Sequence, residues 1–178
     1  MSGPFLQGPR VVLREVRVED VGDDYYAWMN DHEVTQYLES RFYPYSRRRL
    51  VAYVEKASED PSSVFLAITR RENGRMIGTI KLGAIDRTHR SAEVALMVGD
   101  KGSWGQGYAT ESIRLVNDYA FRTLNLHKLT AGAYATNEGS IRAFKKAGFQ
   151  EEARRREQFW SEGQYVDQVW LGLVNANG

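Results

Sequence analysis

The sequence contains no cysteine among its 178 residues. This absence excludes a disulfide framework and metal sites built on thiolates. It also excludes a cysteine nucleophile. Any group transfer by this chain must therefore be direct, or pass through a residue of another type.

Histidine is scarce as well, with three residues at His32, His89 and His127. They lie far apart in the sequence, and no two have the i, i+4 spacing of a helical zinc pair. We therefore expect no metal site.

Long apolar runs and a large net charge are both missing. The sequence has no run of about 18 apolar residues that could span a membrane, and residues 1–4 lead into no apolar signal segment. We therefore expect a cytoplasmic protein without a membrane partner.

The 24 Lys and Arg against 23 Asp and Glu leave a formal charge of +1, which gives no electrostatic field that would attract a nucleic acid. Arginine triplets at residues 47–49 and 154–156 are typical of solvated surface at this charge. We expect a small-molecule partner, and the sequence is compatible with a homodimer.

Length and apolar periodicity predict a single α/β domain over residues 1–178, with residues 1–10 as an N-terminal arm. The predicted strands cover residues 11–16, 63–69, 76–82, 92–98, 127–134, 154–160 and 165–173. The predicted helices begin near residues 20, 46, 108 and 140, and the helices that begin at 108 and 140 are expected to end at left-handed residues, Asn125 and Gly148. Strands between residues 63 and 98 should form an antiparallel meander. The helix from residue 108 to about 124 should bring the next strand parallel to the last strand of that meander.

A strand, a glycine-rich turn and an amphipathic helix follow one another at residues 94–111. Gly105 and Gly107 can adopt positive φ and allow close backbone approach. Consecutive N–H groups can then point at one spot, at the positive end of the helix dipole, where phosphate binds. The turn lacks the Gly-Lys-Ser/Thr of a nucleotide-hydrolysing loop and does not follow Gly-x-Gly-x-x-Gly. By itself it is compatible with phosphate binding or with tight packing alone.

Two stretches resemble a known family. Trp104-Gly105-Gln106-Gly107-Tyr108-Ala109-Thr110-Glu111 resembles the acyl-CoA pyrophosphate loop of the GCN5-related N-acetyltransferases (GNAT). Asn137 to Phe149 resembles that family's Asn at the end of the next strand, followed by a helix ending in Gly-Phe. The stretches have the family's order and separation, and the resemblance covers about residues 10–173. It is similar to the branch of ribosomal-protein, polyamine and nucleotide-sugar acetyltransferases.

The resemblance implies a GNAT-like fold, with a mixed and mostly antiparallel sheet of about seven strands, about four helices and a βαβ-like acyl-CoA site. It implies acetyl-CoA as the acetyl donor and an N-acetyltransferase that acts by direct attack of a primary amine. Trp104 departs from the family pattern, which has Arg or Gln there, but backbone N–H groups should bind most of the pyrophosphate. The expected cofactor-binding residues are Met97, Val98, Trp104, Gly105, Gln106, Gly107, Tyr108, Ala109, Thr110, Asn137, Ser140 and Phe144.

The family's reaction requires a neutral amine that attacks a thioester carbonyl. An alkylammonium has a reference pKa of about 10, so it must lose a proton at neutral pH. Glu93, on the strand that leads to the turn, is the first candidate base, and Asp167 is a weaker candidate for a base or an amine anchor. Glu93 is equally compatible with an exposed or salt-bridged strand position.

The departing thiolate requires an acid, and many family members place a Tyr seven residues after the Asn. Phe144 occupies that position here, while Ser140 lies where some relatives place a Ser. We therefore predict that Ser140 is catalytic, with a serine that stabilises the helix start as the alternative. Asn137 resembles the family's cofactor-contacting Asn and fits a turn residue equally well. The carbonyl oxygen should meet a backbone N–H near Met97 or Val98.

The aromatic and irregular stretch at residues 28–45 is expected to form a lip for the acceptor. Trp28, Tyr43, Tyr134 and Asp167 are the candidate substrate-binding residues, although the aromatic residues of the lip could equally pack in the core. The resemblance leaves an amino sugar on a nucleotide, a ribosomal-protein N-terminus and a polyamine open as acceptors. Mixed charge favours a sugar-like or other small amine over a polycation, which would need a strongly acidic pocket. The alternative function, suggested by Phe144, is a catalytically silent module that senses acyl-CoA.

Overall fold

The computed structural model describes residues 4–176 as one open sheet of eight strands with helices on both faces. The strands are β1 (Leu6–Gln7), β2 (Val11–Glu15), β3 (Val64–Arg70), β4 (Met76–Asp86), β5 (Ser91–Val98), β6 (Lys128–Tyr134), β7 (Gln150–Ser161) and β8 (Gln164–Val174). The α-helices are α1 (Asp23–Met29), α2 (His32–Thr35), α3 (Arg47–Glu59), α4 (Tyr108–Arg122) and α5 (Glu138–Lys146). The sheet order is β1-β2-β3-β4-β5-β6-β8-β7, and every neighbouring pair except β5–β6 is antiparallel. The predicted mixed, mostly antiparallel fold is confirmed.

The described chain has one more strand and one more α-helix than expected. The extra strand, β1, lies in the predicted N-terminal arm and pairs with β2, while residues 1–3 of that arm lie outside the described residues. The extra helix, α2, lies in the predicted lip. Asp31 caps it by accepting hydrogen bonds from the N–H groups of Glu33 and Val34. The predicted left-handed positions at Asn125 and Gly148 are confirmed, with φ of 55° and 101°.

The first helix begins later than the sequence pattern suggests. A short 3-10 turn ends at Asp20, and α1 starts at Asp23. The Asp20 carboxylate accepts hydrogen bonds from the Arg14 guanidinium at 2.7 Å and from the Arg17 N–H at 2.8 Å. Through these contacts Asp20 joins β2 to the 3-10 turn, and it does not begin α1.

Two hydrophobic clusters lie on opposite faces of the sheet. Along β3, Leu66 and Ile68 pack in the cluster with α4 and α5, whereas Ala67 packs in the cluster with α1, α2 and α3. This alternation is the two-residue period of a strand that is covered on both sides. Within residues 4–176, no helix is long and apolar enough to cross a membrane.

Among the described strands, β5 and β6 are the one parallel pair, and they pair over a short distance. Ser91–Glu93 pair with residues 128–130. Beyond them, β5 continues along β4 as far as Val98, and β6 continues along β8. A gap therefore opens between the carboxyl ends of β5 and β6. The predicted antiparallel meander and the parallel crossover through α4 are both confirmed.

Close packing of Trp28 against Gly99 fixes the end of β5. Trp28 is 8% exposed, and a Cβ at Gly99 would lie 2.2 Å from the indole Cδ2. The Gly99 N–H donates to the Ile77 carbonyl at 2.9 Å. Trp28, for which the sequence left a substrate contact and core packing open, is thus a core residue that packs against the end of β5.

We expect Gly99→Ala to lower the free energy of unfolding by about 2 kcal/mol, because the added methyl group overlaps the Trp28 ring. Urea denaturation measures this change. Gly102→Ala is the control, since a Cβ there would meet its nearest atoms at 3.8 Å, and we expect it to stay within about 0.5 kcal/mol of the parent. Equal losses in the two variants would contradict the packing argument.

Candidate active site

A cleft of about 650 Å³ opens where β5 and β6 diverge. Its walls are formed by β5, by the first turn of α4, by α5, and by residues 33–38 of the lip. The expected cofactor-binding residues that line it are Met97, Val98, Trp104, Gly105, Gly107, Tyr108, Ala109, Thr110, Asn137, Ser140 and Phe144. Gln106 is not among its lining residues. The structure thus brings the two sequence motifs to opposite walls of one cleft.

The N-terminus of α4 presents unpaired donors to the cleft. Gly105 and Gly107 have φ of 71° and 84°, and Gly107 is the N-cap, where no side chain caps the helix. The first N–H groups of an α-helix have no acceptor within the helix. Those of residues 108–110 therefore point outward at the positive end of the 15-residue helix dipole. This arrangement fits a pyrophosphate.

Arg10 and Glu111 hold this turn against β2. Glu111 Oε1 accepts hydrogen bonds from the backbone N–H groups of Arg10 and Val11 at 2.8 and 3.0 Å, and its Oε2 accepts from Arg10 Nε at 3.0 Å. Arg10 Nη1 also donates to the Gln106 carbonyl at 2.8 Å. Sequence reasoning missed this role, since an acidic residue in a first helical turn signals only a favourable dipole contact.

A second ion-paired group supports the turn from the other side. The Ser103 hydroxyl, in a residue that is 2% exposed, donates to Asp100 and accepts from Arg70 Nη2 at 2.8 Å. The Arg70 guanidinium also lies 5.4 Å from the centroid of the Tyr108 ring. The turn is therefore preorganised from both β2 and β3.

Val98 is the position whose backbone faces the gap between β5 and β6. Because the Gly99 N–H bonds to β4, alternation along the ladder directs the Met97 N–H to β4 and the Val98 N–H to the gap. The Trp104 Nε1 donates to the Val98 carbonyl at 2.7 Å, which agrees with that orientation. Trp104 thus has a structural contact at the point where the family pattern has Arg or Gln.

Asn137 and Ser140 lie at the start of α5 on the cleft wall. Asn137 is the N-cap, and its Oδ1 accepts a hydrogen bond from the Ser140 N–H at 3.2 Å. The Ser140 hydroxyl, by contrast, has no hydrogen-bond partner in the described part of the chain, although it borders the cleft. Phe144, one turn later, is 1% exposed and packs edge-on against Phe149. The helix-capping role belongs to Asn137, and this leaves the Ser140 hydroxyl available to a ligand.

Glu93 lies at the last β5–β6 pair, opposite Thr130, on the strand face that it shares with Ala95. It is outside the lining of the cleft and is solvent-accessible. Even so, partial desolvation raises the pKa of the Glu93 carboxyl. Asp167 lies elsewhere, where its Oδ1 accepts a hydrogen bond from the Glu157 N–H at 3.0 Å. Glu93 thus lies at the point where β5 and β6 separate.

The lip is attached to the end of β6 through Tyr134 and to the end of β7 through Arg41. The Tyr134 hydroxyl donates to Glu39 Oε1 at 2.6 Å and accepts from Arg41 Nη1 at 2.7 Å. Arg41 Nη2 donates to the Trp160 carbonyl at 2.7 Å. Burial, followed by the bond to Glu39, raises the pKa of Tyr134. Tyr134 borders the cleft, whereas Tyr43 is 69% exposed and outside it.

The contacts of Glu39 and Arg41 were missed from the sequence. Both residues lie in a stretch that was read only as irregular and polar. Their partners come from strands about 95 and 119 residues further along the chain, and a sequence pattern carries no signal for such pairs.

Comparison with known proteins identifies the family. The model of the acetyltransferase (GNAT) domain matches residues 10–150. The chain is 36% identical to the probable N-acetyltransferase YjcK of Bacillus subtilis over 74% of this chain and 72% of that protein. It is 30% identical to the uncharacterized N-acetyltransferase YoaA of Bacillus subtilis over 96% and 97%.

A solved structure agrees with these relatives. The spermidine N-acetyltransferase from Vibrio cholerae, in complex with CoA and spermine, has a TM-score of 0.83 and 25% identity over 94% of this chain and 96% of that one. The predicted enzyme class is confirmed, and a catalytically silent module is not favoured. The chain belongs to the GNAT family of acetyltransferases and is an acetyl-CoA-dependent N-acetyltransferase.

Proposed function

We propose that this enzyme acetylates the primary amine of a small molecule by direct attack, with Glu93 as the base and Ser140 as the donor to the departing sulfur. The observation that carries the proposal is the single cleft that joins the open N-terminus of α4 to the gap between β5 and β6. The uncapped N–H groups of residues 108–110 fit a pyrophosphate. Acetyl-CoA supplies the thioester carbonyl that the amine attacks.

The chain's own groups can serve each part of that attack. The Val98 N–H, which faces the gap, donates to the carbonyl oxygen as negative charge develops on it. Glu93 accepts a proton from the acceptor's ammonium, directly or through one water. The Ser140 hydroxyl donates a hydrogen bond to the sulfur as it leaves. No covalent enzyme intermediate is needed, in agreement with the absence of cysteine.

A small-molecule acceptor in the cytoplasm is the setting that we propose, with neither a nucleic acid nor a membrane as partner. The net charge of +1 supports this choice, as does the small amine bound by the Vibrio cholerae relative. We assign Asp167 and the exposed Tyr43 to contacts with the acceptor beyond the cleft. The chain acts as a monomer or as a homodimer.

Glu93→Gln should lower kcat/KM by about 100-fold, because the variant cannot accept the ammonium proton. In the parent enzyme, the raised pKa of Glu93 means that the active carboxylate is lost at a higher pH than for an ordinary glutamate. Below that pKa, the logarithm of kcat/KM should therefore fall by one additional unit for each unit by which the pH is lowered. The variant should not show this additional fall. Thiol release from acetyl-CoA with a panel of primary amines measures both effects.

The control for Glu93 is Glu55→Gln, which changes an exposed carboxylate on α3. It should keep the parent's pH profile. An unchanged profile in Glu93→Gln would rule out Glu93 as the base.

Ser140→Ala should lower kcat by about tenfold or more and leave the Kd of CoA within about twofold. The reason is that its hydroxyl is unpartnered in the described protein, while the helix is capped by Asn137. Asn137→Ala should instead lower the free energy of unfolding by about 1 kcal/mol. Steady-state kinetics, calorimetric titration with CoA and urea denaturation separate these roles. Equal losses of kcat and CoA affinity in Ser140→Ala would mean that the serine is structural.

Arg142 and Lys146, one turn apart on α5, are the two cations that line the cleft within residues 4–176. We assign them to the 3′-phosphate of CoA, since the pyrophosphate is already served by α4. Lys146→Ala should weaken CoA about tenfold and leave 3′-dephospho-CoA unchanged, as expected for a lost charged hydrogen bond. Lys145→Ala is the control, because Lys145 pairs with Glu151 at 3.6 Å and does not line the cleft. Equal weakening of both ligands in Lys146→Ala would refute the assignment.

A further inference from the structure

The lip side of the cleft, where we place the acceptor, has little negative charge. Among the described residues that line the cleft, Glu33 is the single carboxylate. Lys101 Nζ lies 2.5 Å from Glu33 Oε2 and 2.9 Å from Asp31 Oδ2. The hydrogen bond from Lys101 holds the pKa of Asp31 below its usual value, and the bond to Asp31 raises the pKa of Lys101. Both carboxylates of this corner therefore share one tethered ammonium.

The other carboxylates around the lip also have partners. Glu39 accepts a hydrogen bond from the Tyr134 hydroxyl, and that hydroxyl accepts one from Arg41. Further along, Glu162 at the β7–β8 turn lies 3.3 Å from the His32 Nε2. The lip therefore has no cluster of unpartnered carboxylates within the described residues.

A second ammonium on the acceptor would need a carboxylate of its own. An ammonium that leaves water without a partner loses much of its solvation free energy. At Glu33 and Asp31 it would have to displace the Lys101 ammonium. Because Lys101 is part of the same chain, that ammonium stays close to both carboxylates. The attraction gained by the ligand would then be offset by the ion pairs lost from Lys101.

We propose that the acceptor is a primary amine without a second positive charge, and that Lys101 is the specificity-determining residue that excludes diamines and polyamines. This inference rests on the proposed amine acetylation and narrows its substrate class. The remainder of the acceptor is neutral or anionic.

The test compares butylamine, 1,4-diaminobutane and spermidine as acceptors at constant ionic strength, by thiol release from acetyl-CoA. In the parent enzyme, kcat/KM for butylamine should exceed that for 1,4-diaminobutane, per amino group, by about tenfold. Lys101→Gln leaves Asp31 and Glu33 without their cation, and it should shift this ratio at least about fivefold toward the diamine. Lys145→Gln removes one of two cations that pair with Glu151 away from the cleft, and it should leave the ratio unchanged.

Calorimetric titration of the CoA-saturated protein with spermidine provides an independent readout. Spermidine should bind Lys101→Gln about tenfold more tightly than the parent. A parent that prefers the diamine or spermidine would overturn the inference, and so would a Lys101→Gln variant with unchanged selectivity and unchanged spermidine affinity. The absence of thiol release with every amine would instead contradict the proposed function, while the titration would still decide the role of Lys101.

Discussion

The loss of pairing between β5 and β6 after three residue pairs is the constraint on which the rest of the site depends. Glu93 and Thr130 form the last pair, and beyond them each strand keeps only its outer neighbour. Backbone groups that would normally be satisfied within the sheet, such as the Val98 N–H, therefore face a gap. A buried peptide group without a partner is costly, so the gap favours a ligand that can take the place of a strand.

The two ends of the gap are held apart by contacts distant in sequence. The Trp28 ring packs closely against Gly99 at the end of β5, and Glu111 ties α4 to the backbone of β2. On the opposite wall, Asn137 caps α5. These contacts preorganise the donors at the N-terminus of α4, so that little conformational entropy is lost when a phosphate binds.

The charges around the cleft divide it into two chemical regions. Arg142 and Lys146 make the α5 side of the cleft positively charged. On the lip side, Glu33 and Asp31 share Lys101, so the corner that could attract a polycation is already occupied. The same fold that binds an anionic donor at one end can thus select a weakly charged acceptor at the other.

The sequence by itself determined the order of the main strands and helices and the position of the glycine turn. It also determined the left-handed stops at Asn125 and Gly148. These features depend on local periodicity and on the conformational freedom of single residues. Together with the motif near Asn137, they were sufficient to identify the family and the acetyl donor.

Only the tertiary structure decided which residues meet. It assigned Trp28 to the core rather than to the substrate, and it revealed the contacts of Glu111 with β2 and of Tyr134 with Glu39. It also showed that Lys101 pairs with both Asp31 and Glu33 from about 70 residues away. Such pairs form because the sheet order brings distant segments together, and no local pattern of apolar and polar residues encodes which charged side chain will be the partner of another.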